Sequence, residues 1–140
     1  MPLIKGQAVL GVEPGTFDFL GFTFYLGKSR AGRSIPKLRT KAKSMRAKLK
    51  KVTEWVKQIK HSKSMQTIWS IFQAKIQGHI QYYGVSFNIE AVEDFIYEAT
   101  KIMFKWLNRR SQRRSFSWEK FRLYIETKPL PVAKVVHRLF

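Results

Sequence analysis

The chain has no cysteine, so it holds neither a disulfide framework nor a thiolate metal site, and a reducing compartment is the expected setting. Histidine is scarce as well. His61, His79 and His137 lie far apart, and none has a partner at the spacing that puts two imidazoles on one helix face, so no metal is expected. No apolar run approaches the roughly 18 residues of a membrane-spanning helix, and the N-terminus lacks the apolar core of a signal peptide. A soluble, cytoplasmic protein without a membrane partner is expected. Acids are few, and only two are aspartates, Asp18 and Asp94. They stand far apart in the sequence. No cofactor pattern is present.

What is abundant is positive charge. Against 9 Asp and Glu stand 27 Lys and Arg, a net charge of +18 on 140 residues. Self-repulsion of that size disfavours the compact state, so a polyanionic partner is the simplest explanation, nucleic acid ahead of an anionic membrane surface. With 44% hydrophobic and 14% aromatic residues, the composition is that of a globular chain able to bury one core.

Residues 1–16 are weakly patterned, with a turn expected at Pro14-Gly15. FDFLGFTFYL, residues 17–26, is rich in aromatics and reads as one largely buried strand, Gly21 marking a bulge or a close backbone approach. GKSRAGRSIPKL follows as a hairpin loop carrying Lys28, Arg30 and Arg33, its return strand ending near Ile35-Pro36. Gly21 to Gly27-Lys28-Ser29 looks like a phosphate-cradling loop. However, five residues separate the glycines instead of four and those five are strand material, which argues against nucleotide binding there.

Leu38, Met45, Leu49, Val52, Val56 and Ile59 step by seven, four, three, four and three, which predicts an amphipathic helix to Lys60. Its polar faces begin with Lys37, Arg39, Lys41 and Lys43 and continue through Arg46 and Lys50, with Glu54 the only acid. A solvated face ordinarily mixes signs to gain i, i+4 pairs, so this self-repelling one is expected to meet phosphate. Ser64 is the expected cap of a second helix ending near Gly84, and Asn88 of a third helix running to about Arg110. Within the second lies Gly78-His79-Ile80-Gln81-Tyr82-Tyr83-Gly84. His79, Tyr82 and Tyr83 are its candidate RNA contacts, although adjacent tyrosines point to different faces, so one belongs to the core.

The third helix leads into KWLNRRSQRRSFSWEKF. Ile102, Met103, Trp106 and Leu107 share an apolar stripe, while Lys101, Lys105 and Arg109 recur on another face. Cations near a helix C-terminus also match the helix dipole. Arg110, Arg113 and Arg114 then extend the basic run, and guanidinium forks suit phosphate oxygens. Ser117 starts a short fourth helix with Trp118, Phe121, Tyr124 and Ile125 inward, stopped before Pro129. The expected fold is mainly α, a small basic bundle of three longer helices and a short fourth with an N-terminal β-hairpin. The expected segments are 1–36, 37–128 and an extended tail, 129–140.

Taken together, FDFLGFTFYLGKSRAGR, QGHIQYYGVSFN and KWLNRRSQRRSFSWEKF resemble, in order and spacing, the C-terminal part of bacterial group II intron-encoded reverse transcriptase/maturases. The resemblance covers roughly residues 14–131. It implies that FLGFT is similar to the last block of the polymerase region, and that the helices look like the thumb and the maturase-specific domain X. Many members of that family carry tryptophan at the position of His79, and others read GHxxYYG as here. The resemblance further implies a structured RNA partner, a group II intron, whose folding and splicing the domain assists, and a possible template-primer duplex. The aspartates of the polymerase site are absent, so no enzyme activity of its own is expected. Two alternatives stand beside this reading: the thumb subunit of a split reverse transcriptase whose partner chain carries the palm, and a general nucleic-acid-binding basic protein.

Overall fold

The computed structural model describes residues 17–19, 21–28, 30–109 and 117–138. The expected turn at Pro14-Gly15 and the arginines Arg110, Arg113 and Arg114 lie outside them. The fold is a mainly helical bundle preceded by a small antiparallel sheet. The expected hairpin is formed by β2 (Phe22–Lys28) and β3 (Ser34–Thr40), with a short strand β1 (Phe17–Phe19) added on the other side of β2.

The single strand expected over 17–26 is therefore two. The chain reverses between Phe19 and Phe22, pairing Phe17 with Phe24 and Phe19 with Phe22. Gly21 makes this possible: its φ of +86° is a left-handed conformation that costs a residue with a Cβ dearly, and an added Cβ would sit 2.6 Å from the Tyr83 hydroxyl. An aromatic run reads as one strand because apolar content alone does not reveal a reversal.

β3 also runs further than expected, to Thr40, so Lys37 and Arg39 stand on a strand and not on the basic helix. Pro36, aligned with Leu26, is tolerated because β3 lies at the edge of the sheet. The phosphate-loop reading fails for the same reason, since 22–28 is paired on both sides over part of its length.

The first helix, α1 (Ala42–Ile59), starts only after Lys41, whose N–H donates to the Gly21 carbonyl at 2.8 Å. The second, α2 (Met65–Tyr83), is capped as expected by Ser64, whose hydroxyl accepts from the Thr67 N–H. Gly84 ends it, with φ of −76°. Glycine is needed here for space: a Cβ would lie 2.5 Å from the carbonyl oxygens of both Ile80 and Lys134.

The third helix, α3 (Ile89–Leu107), begins where expected but by a different device. The Asn88 side chain caps nothing; buried, it accepts from the Thr40 N–H at 2.6 Å and donates to the Thr40 hydroxyl and the Tyr83 carbonyl, both at 2.8 Å. One amide thus ties the end of β3, the end of α2 and the start of α3 together. The fourth helix, α4 (Trp118–Thr127), is capped by Ser117.

The core takes Val52 and Val56 from α1, Ile68, Trp69, Phe72, Ile76 and Ile80 from α2, Val92, Phe95, Ala99, Met103 and Leu107 from α3, and Phe121 from α4. These follow the helical period, and Trp69 meets Phe121 and Tyr124 edge-on at 5.5 and 5.6 Å. Trp106, expected inside, is only partly buried. After α4 the tail forms no further helix through residue 138, and it packs: Leu130, Ala133 and Val136 lie on the core. The Trp69 indole N–H donates to the Lys128 carbonyl at 2.9 Å, and the N–H groups of Val136 and His137 donate to the Gly84 carbonyl.

α1 and α3 run side by side in the same direction. Their starts meet through Thr40 and Asn88, and their ends meet at Trp106, which Lys57 and Lys60 reach from α1. At 1.5 Å per residue the 18-residue α1 separates these two ends by about 27 Å.

Candidate nucleic-acid interface

The sheet brings its cations to two places. Lys28, Arg30 and Arg33 are exposed around the β2–β3 connection, and Lys28 Nζ donates to the Ser34 hydroxyl at 3.1 Å. Strand alternation puts Thr23, Tyr25, Lys37 and Arg39 on one face, in paired register. There the Arg39 guanidinium lies 5.2 Å from the Tyr25 ring, and the half-buried Lys37 extends to within 5.1 Å of the Phe87 ring. A cation over an aromatic face keeps its charge while its stem covers apolar surface.

Lys43, Arg46 and Lys50 on α1 are exposed and, with Lys57, recur at intervals of three, four and seven residues, which aligns them on one face. Glu54 is the single acid among them. Lys41, half-buried, joins this face to β3. Lys48 is turned the other way, its Nζ 5.2 Å from the Tyr83 ring and 5.6 Å from the Phe95 ring. Burial, then the charges of Lys51 and Lys75, hold its ammonium below the ordinary lysine range.

Of the three candidate RNA contacts in the GHIQYYG patch, only Tyr82 faces solvent. It is 49% exposed and stacks on Phe22 at 5.8 Å, leaving a ring surface open. The expectation that His79 and Tyr83 contact RNA is overturned by burial, at 1% and 5% exposure respectively. The His79 imidazole is sandwiched, 3.8 Å from the Phe95 ring centroid and 4.7 Å from that of Tyr83. Neither of its nitrogens has a hydrogen-bond partner among the described residues. Burial, reinforced by Lys48, lowers its pKa to about 3, so it is a neutral core ring. The Tyr83 hydroxyl is likewise driven above the ordinary range, chiefly by burial. The helical period already separates Tyr82 from Tyr83, but it cannot say which one α1 and α3 cover.

The far end of α1 and α3 holds an assembly that sequence reasoning missed. Around the Trp106 ring, Lys60 and Lys57 lie 4.9 and 5.0 Å from the centroid, Lys105 5.2 Å and Arg109 5.3 Å. Lys105 and Arg109 were expected to bind phosphate; their meeting with Lys57 and Lys60 depends on the parallel docking of two helices distant in sequence. The one signal in the sequence was the absence of any acid from Trp55 to Ile89 and from Ala99 to Trp118.

The other flank of α3 differs in character. An apolar groove of about 470 Å³ lies between α3, α4 and the tail, lined by Tyr97, Trp118, Leu130 and Val132, with Glu93 beside it. It has no cation to offer a polyanion. Among the described residues no group of three or more His, Cys, Asp or Glu could hold a metal, and no helix is long and apolar enough to cross a membrane.

Fold and surface thus define a small helical bundle with an antiparallel sheet whose cations gather on the sheet face, along α1 and at the far end of α1 and α3. Compared with family models, curated proteins and solved structures, the chain matches none.

Proposed function

We propose that this chain is an RNA-binding domain of the maturase type, which grips a structured RNA such as a group II intron and assists its folding while the RNA carries out the chemistry. The observation that carries this reading is the cationic surface that passes from Arg39 on β3, across Lys41, to Lys43, Arg46 and Lys50 on α1. It pairs phosphate-seeking charge with the Tyr25 ring on the same sheet face, while the exposed Tyr82 ring stacks on Phe22 of the opposite face. Neutralised phosphates release counterions, so binding falls steeply with salt, while ring contacts and surface shape favour structured RNA. The three sequence blocks that resemble intron-encoded proteins supply the choice of RNA over DNA.

The test is binding of the chain to a structured intron RNA across a salt series, with unstructured RNA of equal length and duplex DNA as competitors. Preference for the intron RNA at physiological salt supports the reading; equal binding to all three, lost together as salt rises, defeats it. A second reading, the thumb subunit of a split polymerase, draws on Leu26, which is 64% exposed on β2. Co-purification with a chain that carries the missing aspartates supports that alternative.

A further inference from the structure

We propose that the end of the bundle around Trp106 is a binding site for RNA backbone phosphate, in which the indole gathers four cations into one receptor. This rests on the RNA-binding reading and deepens it. The site lies about 27 Å from the sheet along α1, as the length of an 18-residue helix requires.

Two helix ends each bring two cations to a single ring, Lys57 and Lys105 from within the helices and Lys60 and Arg109 from just past them, at 4.9 to 5.3 Å from its centroid. Any two of the four therefore lie within roughly 10 Å, about one Debye length at 0.1 M salt, so solvent ions do not screen their repulsion away. Helix dipoles account for part of this, since each helix favours cations in its last turn. They do not account for convergence, because each dipole acts on its own helix end and nothing in it directs the charges of α1 and α3 to a shared point. The negative face of the indole does.

The nearest acids in sequence are Glu54, one turn before Lys57, and Glu98, two turns before Trp106, where it pairs with Lys101 at 3.7 Å. The ring's attendants are three ammonium groups and one guanidinium fork, all donors and no acceptors, a set that suits the oxygens of a phosphodiester. A base is the poorer fit, since stacking on the indole would displace the cations that the ring holds. Lys57, Lys105 and Arg109 are open to solvent, and Lys43, Arg46 and Lys50 lead toward them along α1. An extended polyanion can follow that line; the apolar groove on the other flank of α3 cannot serve it.

The decisive variant is Trp106→Leu, which keeps every cation and the net charge while removing the π face. The full chain is titrated with a structured RNA hairpin across a KCl series, beside Trp106→Phe and the triple variant Lys57→Gln/Lys105→Gln/Arg109→Gln, with helicity followed by circular dichroism. Trp106→Leu is expected to bind about tenfold more weakly at physiological salt, with a salt slope smaller by about 1, and Trp106→Phe to stay within about threefold of the native chain. The triple variant is expected to lower the slope by about 2.

Native affinity and slope in Trp106→Leu, with helicity intact, overturn the inference and leave the RNA-binding reading standing. Should Trp106→Leu lose helicity, the triple variant decides, because its three side chains are exposed: an unchanged slope overturns the site, a reduced one supports it. A native chain that does not bind the hairpin at all overturns both. Separate titrations with tripolyphosphate and with phosphatidylserine vesicles identify the source of the phosphate: a larger Trp106→Leu effect on either than on the hairpin overturns the assignment to RNA.

Discussion

The two ends of the parallel pair α1 and α3 are joined by different physics. At the sheet end the junction is made of hydrogen bonds with defined directions. Asn88 spans Thr40 and the Tyr83 carbonyl, and Lys41 closes on Gly21. At the far end the junction is made of cations around a ring, an attraction that tolerates wide changes of angle. The sheet end also neighbours the acids of α3, Glu90, Glu93 and Asp94, whereas the far end adjoins long acid-free stretches. One end is fixed by directional bonds; the other is held by contacts that leave more freedom of angle.

The sharpest way to break this contrast is Asn88→Ala. It strands the buried Thr40 N–H and takes one of two donors from the Tyr83 carbonyl, which keeps the Val85 N–H, and a loss of about 2 kcal/mol is expected from the urea midpoint. A shift below about 1 kcal/mol would mean that the sheet-end junction is no more specific than the other.

Next in size is a pH effect at His79. Its folded pKa, about 3, lies below the ordinary 6.5, so the unfolded chain takes up the proton first. The stability due to the neutral ring is complete above pH 6.5 and is lost as pH falls toward 3, at up to about 1.4 kcal/mol per pH unit. His79→Phe, which keeps the stack on Phe95 and Tyr83 and buries no polar nitrogen, should be more stable at pH 5 and show a shallower fall between pH 7 and 5. Parallel curves for the two proteins would mean that the imidazole is solvated.

Gly21→Ala is a smaller test of the same end. The left-handed φ and the approach to the Tyr83 hydroxyl predict a loss of about 1 to 2 kcal/mol by thermal or urea unfolding. The smallest effect on stability is expected on the cationic face. Lys43→Gln/Arg46→Gln/Lys50→Gln should stay within about 0.5 kcal/mol of the native chain. The same variant should lower the salt slope of RNA binding by about 1 for each phosphate it no longer neutralises. Destabilisation beyond about 1 kcal/mol would recast this face as structural.

Much of the bundle was legible in the sequence because local signals agree with one another. The apolar steps from Met45 to Ile59, the caps at Ser64 and Ser117 and the stop before Pro129 each depend on residues within a turn or two. The N-terminal sheet was read only in part: Phe17 to Leu26 is apolar throughout most of its length, and the reversal depends on one left-handed glycine. For the candidate interface, exposed Lys and Arg on α1 followed from periodicity. His79 did not, since a histidine beside two tyrosines reads equally well as a ligand or as a core ring until α3 places Phe95 against it.

The sequence by itself determined the helices, their buried stripes and the excess of positive charge, because periodicity and composition are properties of neighbours along a chain. Only the tertiary structure decided which charges stand together. Lys57 and Arg109 are 52 positions apart in sequence and share the Trp106 ring, and Asn88 bonds to a strand 48 positions earlier. No local pattern encodes such pairings, because they depend on how the apolar faces of α1, α2 and α3 pack, and that packing sets the direction of every side chain left outside.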